Sequence, residues 1–273
     1  MNLNHSPAKL ANSYNAISSI AACALWTCAT AVFGQTSAPV EAPVAAPVKS
    51  TAPQLNLFSS ASGASPPAPW RVVSLPKGNK PLTRYDITAL DGRQVLRVQT
   101  DRSYANLVHD LPPSALAPGV QLRWRWRLDK PLLDADLRRR DGDDSPLKVC
   151  ALFDLPIEQL GFVERNLLRT ARAITSEKLP AATLCYVWDS TLPAGTLLRN
   201  AFTDRLRMIV LDSGEQRLGQ WVAHSQNLTA DFLRAFGQES PTVPPLIGVL
   251  VGADSDNTAG QSLGYVGDII LAP

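Results

Sequence analysis

The sequence predicts an all-β domain with two short helices, an antiparallel two-sheet β-sandwich of jelly-roll type. Short runs with strand periodicity recur about eleven times after residue 57, most of them separated by turn signals. Only two segments show helical spacing, and neither sits in a strand–helix–strand alternation, which disfavours a parallel α/β sheet. The part with these patterns is roughly 215 residues long, enough for one well-buried core.

The chain has 273 residues, and its start reads differently from the rest. "MNLNHSPAK" carries one Lys and no acid, and "ISSIAACALWTCATAVFG" is an uncharged run rich in small apolar residues. A positive start, an apolar middle and small residues at a cutting point are the layout of a secretory signal over residues 1–34. The run is short for a membrane span, so no stable span is expected after cleavage. Residues 35–56, "QTSAPVEAPVAAPVKSTAPQLN", form an Ala/Pro-rich linker, because repeated prolines block helix and sheet pairing. The β-sandwich domain is assigned to 57–273, and the expected location is periplasmic or secreted, in a bacterium.

Strand follows strand from there. "WRVVSLP" opens the series; "RYDITAL" and "RQVLRVQT" flank "DG", a two-residue hairpin turn that needs positive φ. "ANLVHDL" follows. "QLRWRWRLD" alternates strictly, with Leu122, Trp124, Trp126 and Leu128 on one face and Arg123, Arg125 and Arg127 on the other. "LKVCALFDL" and "TLCYVWDS" are apolar on both faces, as central strands are. "RLRMIVLDSG" and "GQWVAHSQNL" look like a pair joined by a longer loop, and "LIGVLVG" and "YVGDIILA" close the series. In the first helical segment Leu160, Val163, Leu167, Ala171 and Ile174 fall on one amphipathic face. The second, "TADFLRAFG", starts at Thr229 as N-cap and stops at Gly237.

With 26 basic and 24 acidic residues there is no basic surplus to favour nucleic acid. Cys150 and Cys185 lie in strand-like runs; in an oxidising compartment they form a disulfide, and otherwise they are small buried apolar side chains. Asp254, Asp256, Asn257 and Thr258 in "GADSDNTAG" supply hard oxygens of the type calcium prefers, with Asp268 as a further ligand. The same residues also turn a chain by bonding to backbone amides, and the turn is the simpler reading. Asp143 and Asp144 in "RRRDGDDSPLK", with Asp254 and Asp268, are the carboxylates available to a glycan-active enzyme. Trp124, Trp126 and Trp188 would stack on sugar rings if their face were open, and fill the core if it were closed. Arg123, Arg125 and Arg127 would hold carboxylate or phosphate groups on the opposite face. No metal-ligand His spacing, nucleophile elbow or phosphate loop is found.

Seven motifs, "WRWRL", "DGDDSPLKVCALFD", "LCYVWD", "MIVLDSG", "DFLRAFG", "GADSDNTAG" and "YVGDIIL", occur in the order and spacing of a bacterial family known as domain of unknown function 3047. The resemblance covers residues 57–271 and implies an exported β-sandwich; it brings no activity or catalytic residues with it. The family pattern has an aromatic after the paired Asp and an Arg before the next strand, where this chain has Ser145 and Lys148, so an Arg-dependent ion pair there is left open. "GYVGDIIL" also resembles the last strand of galactose-binding-like jelly rolls, in which an acidic residue helps hold a structural calcium. The leading expectation is a non-catalytic domain that binds a saccharide or cell-envelope component, with calcium as the one possible cofactor. The alternatives are the carboxylate-dependent enzyme and a protein-docking module.

Overall fold

The computed structural model describes residues 53–74, 80–175 and 179–273. The signal assigned to 1–34 and almost all of the linker lie outside the described residues. Among the described residues there are thirteen strands and two α-helices. The strands are β1 Arg71–Val73, β2 Arg84–Leu90, β3 Arg93–Asp101, β4 Tyr104–Ser114, β5 Gln121–Lys130, β6 Leu147–Phe153 and β7 Ala182–Asp189. They continue with β8 Leu197–Arg199, β9 Leu206–Ser213, β10 Val222–Asn227, β11 Leu246–Asp254, β12 Gln261–Val266 and β13 Ile270–Ala272. The helices are α1 Phe162–Thr175 and α2 Leu228–Phe236.

Two sheets result. The larger has the order β1-β4-β11-β6-β7-β9-β8, the smaller β10-β5-β12-β3-β2 with β13 beside β5. All pairings are antiparallel except β7 with β9, whose parallel register runs from Thr183 opposite Leu206. β12 and β13 follow the same edge of β5, so the predicted last strand is one strand broken at Gly267–Ile269. The hairpin between β2 and β3 turns at Asp91 and Gly92, both at positive φ (51° and 75°), as the "DG" signal requires.

The inner faces of both sheets share one core. From β5 it takes Leu122, Trp124, Trp126 and Leu128; from β6 Leu147, Val149 and Phe153; from β7 Leu184, Tyr186 and Trp188. Period-two alternation in each strand sends these residues inward together. The stacking alternative for Trp124, Trp126 and Trp188 therefore fails: they are 4%, 0% and 1% exposed and out of reach of a sugar. Their arginine neighbours lie on the outer face of the smaller sheet. There Arg127 bonds Asp129 (2.6 Å), Arg125 lies over the Trp221 ring (4.4 Å) and Arg123 bonds Ser225 (3.2 Å).

A second apolar layer covers part of the outer face of the larger sheet. It contains Val108, Leu152, Val187, Met208, Val210 and Leu250, with Leu137 packed on them from a connecting segment. Cys150 and Cys185 face each other across β6 and β7 in this layer, Cα atoms 4.0 Å apart, and are joined by a disulfide. β9 and β10, expected as a pair, lie in different sheets. Asp212 near the end of β9 still ties them together: it accepts hydrogen bonds from Trp126 Nε1 (2.7 Å) and His224 Nε2 (2.8 Å), and Arg217 lies 2.6 Å away.

The helices depart from expectation in instructive ways. α2 is capped by Asn227, whose side chain accepts from the Ala230 N–H at 3.0 Å; Thr229 instead bonds Asn227 from within the first turn. Of the predicted apolar stripe, Leu160 precedes α1 and is buried in the core; within α1 Val163, Leu167 and Ile174 are exposed, and Leu168 is the buried residue. Among the described residues no helix is long and apolar enough to cross a membrane.

Candidate ligand groove on the outer sheet face

The outer face of the larger sheet is closed by connecting segments over one part and left open over another. The open part is a groove of about 670 Å³, within the range of small-molecule sites. Its floor is aliphatic, made by Val73, Val108, Leu152, Leu206 and Leu250. These are alternate residues of β1, β4, β6, β9 and β11, the outward partners of the core residues. One wall is α1, through Glu164, Leu167, Leu168 and Ala171; the facing wall is Phe202–Leu206. Along β4 the groove runs from Tyr104 and Asn106 to Asp110, a span of about 20 Å at the rise of a strand.

Polar groups ring this floor, and their charges are matched locally. Arg71 pairs with Asp110 (2.7 Å), Arg205 with Glu164 (3.2 Å) and Asp204 with Arg199 (3.2 Å). Arg205 also reaches Glu239 (2.5 Å), which Arg207 bonds from the other side, so α1 and the segment after α2 are fixed to β9. The Phe202 ring stands exposed at the rim with the Arg140 guanidinium 5.4 Å from its centre.

Past Tyr104 lies a denser polar cluster. Lys148 is buried and its Nζ donates to both Asp254 oxygens (3.0 and 2.9 Å), while Asp254 also accepts from the Ser145 N–H (2.9 Å). Burial works against the Lys148 ammonium, but Asp254, Tyr104 and Asp143 together outweigh it and hold the amine above its ordinary value. Burial pushes the Asp254 carboxyl up, with Lys148 offsetting only part of it. The ion pair left open by the resemblance is thus made by Lys148. Gly252 permits it: a Cβ there would sit 2.6 Å from Lys148 Cε and 2.5 Å from Asn106 Oδ1.

The acidic residues singled out in the sequence are spent on holding loops. Asp144 accepts from the Asn257 and Thr258 N–H groups (3.2 and 2.6 Å) and from Thr258 Oγ1 (2.6 Å). Asn257 Nδ2 donates to the Asp143 carbonyl (3.0 Å), and the Asp143 carboxylate accepts from Asn200 (2.6 Å). Burial raises the Asp143 carboxyl above its usual range. Asp256 faces Lys80 (3.7 Å). Asp268 sits elsewhere, accepting from the N–H and Oγ of Ser59 (2.9 and 2.6 Å) and so fixing the turn that places buried Phe58. Asp254, Asp256, Asn257 and Asp268 therefore do not converge as one oxygen cage; among the described residues no group of three or more His, Cys, Asp or Glu side chains is placed to hold a metal. "GADSDNTAG" and the 141–145 segment clasp each other, side chain to backbone.

Sequence reasoning missed the groove. The parity of Tyr104, Asn106, Val108 and Asp110 was a signal, since it puts polar and apolar groups on a non-core face. Phe202 and Arg205 sit around a connection with no periodicity to read.

The model of the family described as protein of unknown function DUF3047 matches residues 68–270. The chain belongs to that family. No curated protein matches this DUF3047 chain. Solved structures that resemble it include endoglucanase 3 of family GH12 from Trichoderma harzianum, at 9% identity and TM-score 0.38, over 76% of this chain and 98% of that one. Another is the xyloglucanase domain of NopAA from Sinorhizobium fredii in complex with cellobiose, at 8% identity and TM-score 0.40, over 75% and 96%. A third is a carbohydrate-binding module of the β-sandwich superfamily, at 14% identity and TM-score 0.34, over 75% and 57%.

Proposed function

We propose that this is an exported, non-catalytic binding domain that holds a saccharide-bearing component of the bacterial cell envelope in the groove under α1. The observation that carries the reading is the groove itself: an aliphatic floor, a rim of side chains with hydrogen-bonding heads, and an exposed Phe202 ring at its edge. An aromatic face suits the C–H face of a pyranose, and planar polar side chains suit its hydroxyls. The Cys150–Cys185 bridge supports an oxidising compartment. Carboxylate catalysis is the weaker reading, because Asp144 and Asp254 are buried and saturated by donors.

The test is titration of envelope polysaccharides and lipid-linked saccharides against the protein and its Phe202→Ala variant. Phe202 is exposed, so the fold should survive its removal. Binding of at least one compound, weakened about tenfold by the substitution and with no reducing ends released, is the expected result. Equal affinity in the variant would remove the groove from the account. Reducing-end release would replace binding by hydrolysis.

A further inference from the structure

α1 has two apolar aspects, and the groove takes up one of them. Glu164, Leu167, Leu168 and Ala171 line the groove. Val163 and Ile174 continue from Leu167 at the groove's lip as a second stripe, rotated from Leu168 by roughly 100–140° at the 100° per residue of a helix. With Phe162 these three are 62–78% exposed, four of the eleven large apolar side chains left exposed among the described residues. Such clustering on one 14-residue helix is not the scattered exposure normal for a soluble surface.

The charges of the same helix are one-sided. Its acid, Glu164, is taken by Arg205. Arg165 turns onto the carbonyls of Ile157, Glu158 and Leu160, and Arg172 onto that of Leu179. Arg169 is exposed, and among the described residues no carboxylate pairs with any of these three arginines. Arg140 adds a fourth such guanidinium beside Phe202, bonded to the Ala201 carbonyl.

We propose that α1 docks the domain on an anionic lipid surface, with Phe162, Val163, Leu167 and Ile174 in the headgroup–acyl boundary and the arginines among the phosphates. An apolar face with arginine on the opposite, polar face is how a helix lies in an interface, and long arginine stems let the charge reach the polar layer. A second copy of this chain would bring a like-charged helix against the first; an anionic bilayer meets both the stripe and the charge. The inference does not depend on what fills the groove.

The experiment uses the full chain carrying Cys23→Ser, Cys28→Ser and Ile174→Cys, labelled at residue 174 with an environment-sensitive fluorophore, so that only α1 reports. Vesicles with anionic lipid should shift the emission to the blue, and vesicles of zwitterionic lipid should do so far less. Arg169→Glu should weaken the partitioning roughly tenfold, with an unchanged circular dichroism spectrum. No shift with anionic vesicles, or an equal shift with both compositions, would overturn the proposal. So would a blue shift without vesicles: one that grows with protein concentration identifies a second copy, and one independent of concentration identifies another segment of this chain. Saccharide titration of the same labelled protein without vesicles reports on the groove separately.

Discussion

Removing one member of the Lys148–Asp254 pair should be far more damaging than removing both. The two side chains are 12% and 11% exposed and 2.9 Å apart at the end of the central strands β6 and β11. In Asp254→Leu the ammonium stays buried without its counter-charge, and in Lys148→Met the carboxylate does. Breaking such a pair costs about 3–5 kcal/mol. For a domain of this size each kcal/mol is worth about 2–4 °C, so either single variant should melt roughly 6–20 °C lower. In Lys148→Met/Asp254→Leu no charge is stranded. What remains is the Ser145 N–H that Asp254 accepted from, an unmet donor costing about 1–3 kcal/mol. Calorimetric or denaturant unfolding of the three variants gives the coupling energy directly. Singles that lose less than about 1 kcal/mol, or a double variant that loses the sum of both, would refute the reasoning.

Acid stability should depend on Asp212. Burial alone would raise its carboxyl, but hydrogen bonds from His224 and Trp126 and the nearby Arg217 hold it below the ordinary value. A depressed folded pKa gives stability that is present above the unfolded value of about 3.9 and lost as pH falls through the folded one. Asp212→Asn should therefore lose about 2 kcal/mol at neutral pH, and show a flatter melting temperature below pH ~4; an unchanged acid limb would contradict this. Excess calcium or EGTA should leave the melting temperature within about 1 °C, because a ligand stabilises only the state that binds it, and the Asp254 oxygens are taken by Lys148 and the Ser145 N–H while the neighbouring Asp144 is taken by Thr258. A rise of several degrees would show a site that the clasp does not explain.

What the sequence disclosed follows from what its patterns encode. Strict alternation at 122–128 and positive φ at Asp91–Gly92 are local demands, and both hold. Partners are not local. Nothing in "RLRMIVLDSG" says that its strand runs parallel to β7 and lies in a different sheet from β10. The apolar stripe of α1 was legible as a stripe, but which side meets the sheet is set by Leu168 and by Glu164 reaching Arg205. Asp-rich turns read alike whether they hold a metal or a backbone; only the placement of Asp144 opposite residues 257–258 separates the two. The groove is formed where connecting segments fail to cover a sheet face, and that absence leaves no mark in the residues of the strands.

The most direct test of the account is hydrogen exchange of the whole chain with and without the tightest-binding envelope saccharide. Ligand-dependent protection should appear in α1, in the 202–206 segment and in β4. Protection confined instead to β5 and β10, under the Arg123, Arg125 and Arg127 face, would place the ligand on the opposite sheet and contradict the groove.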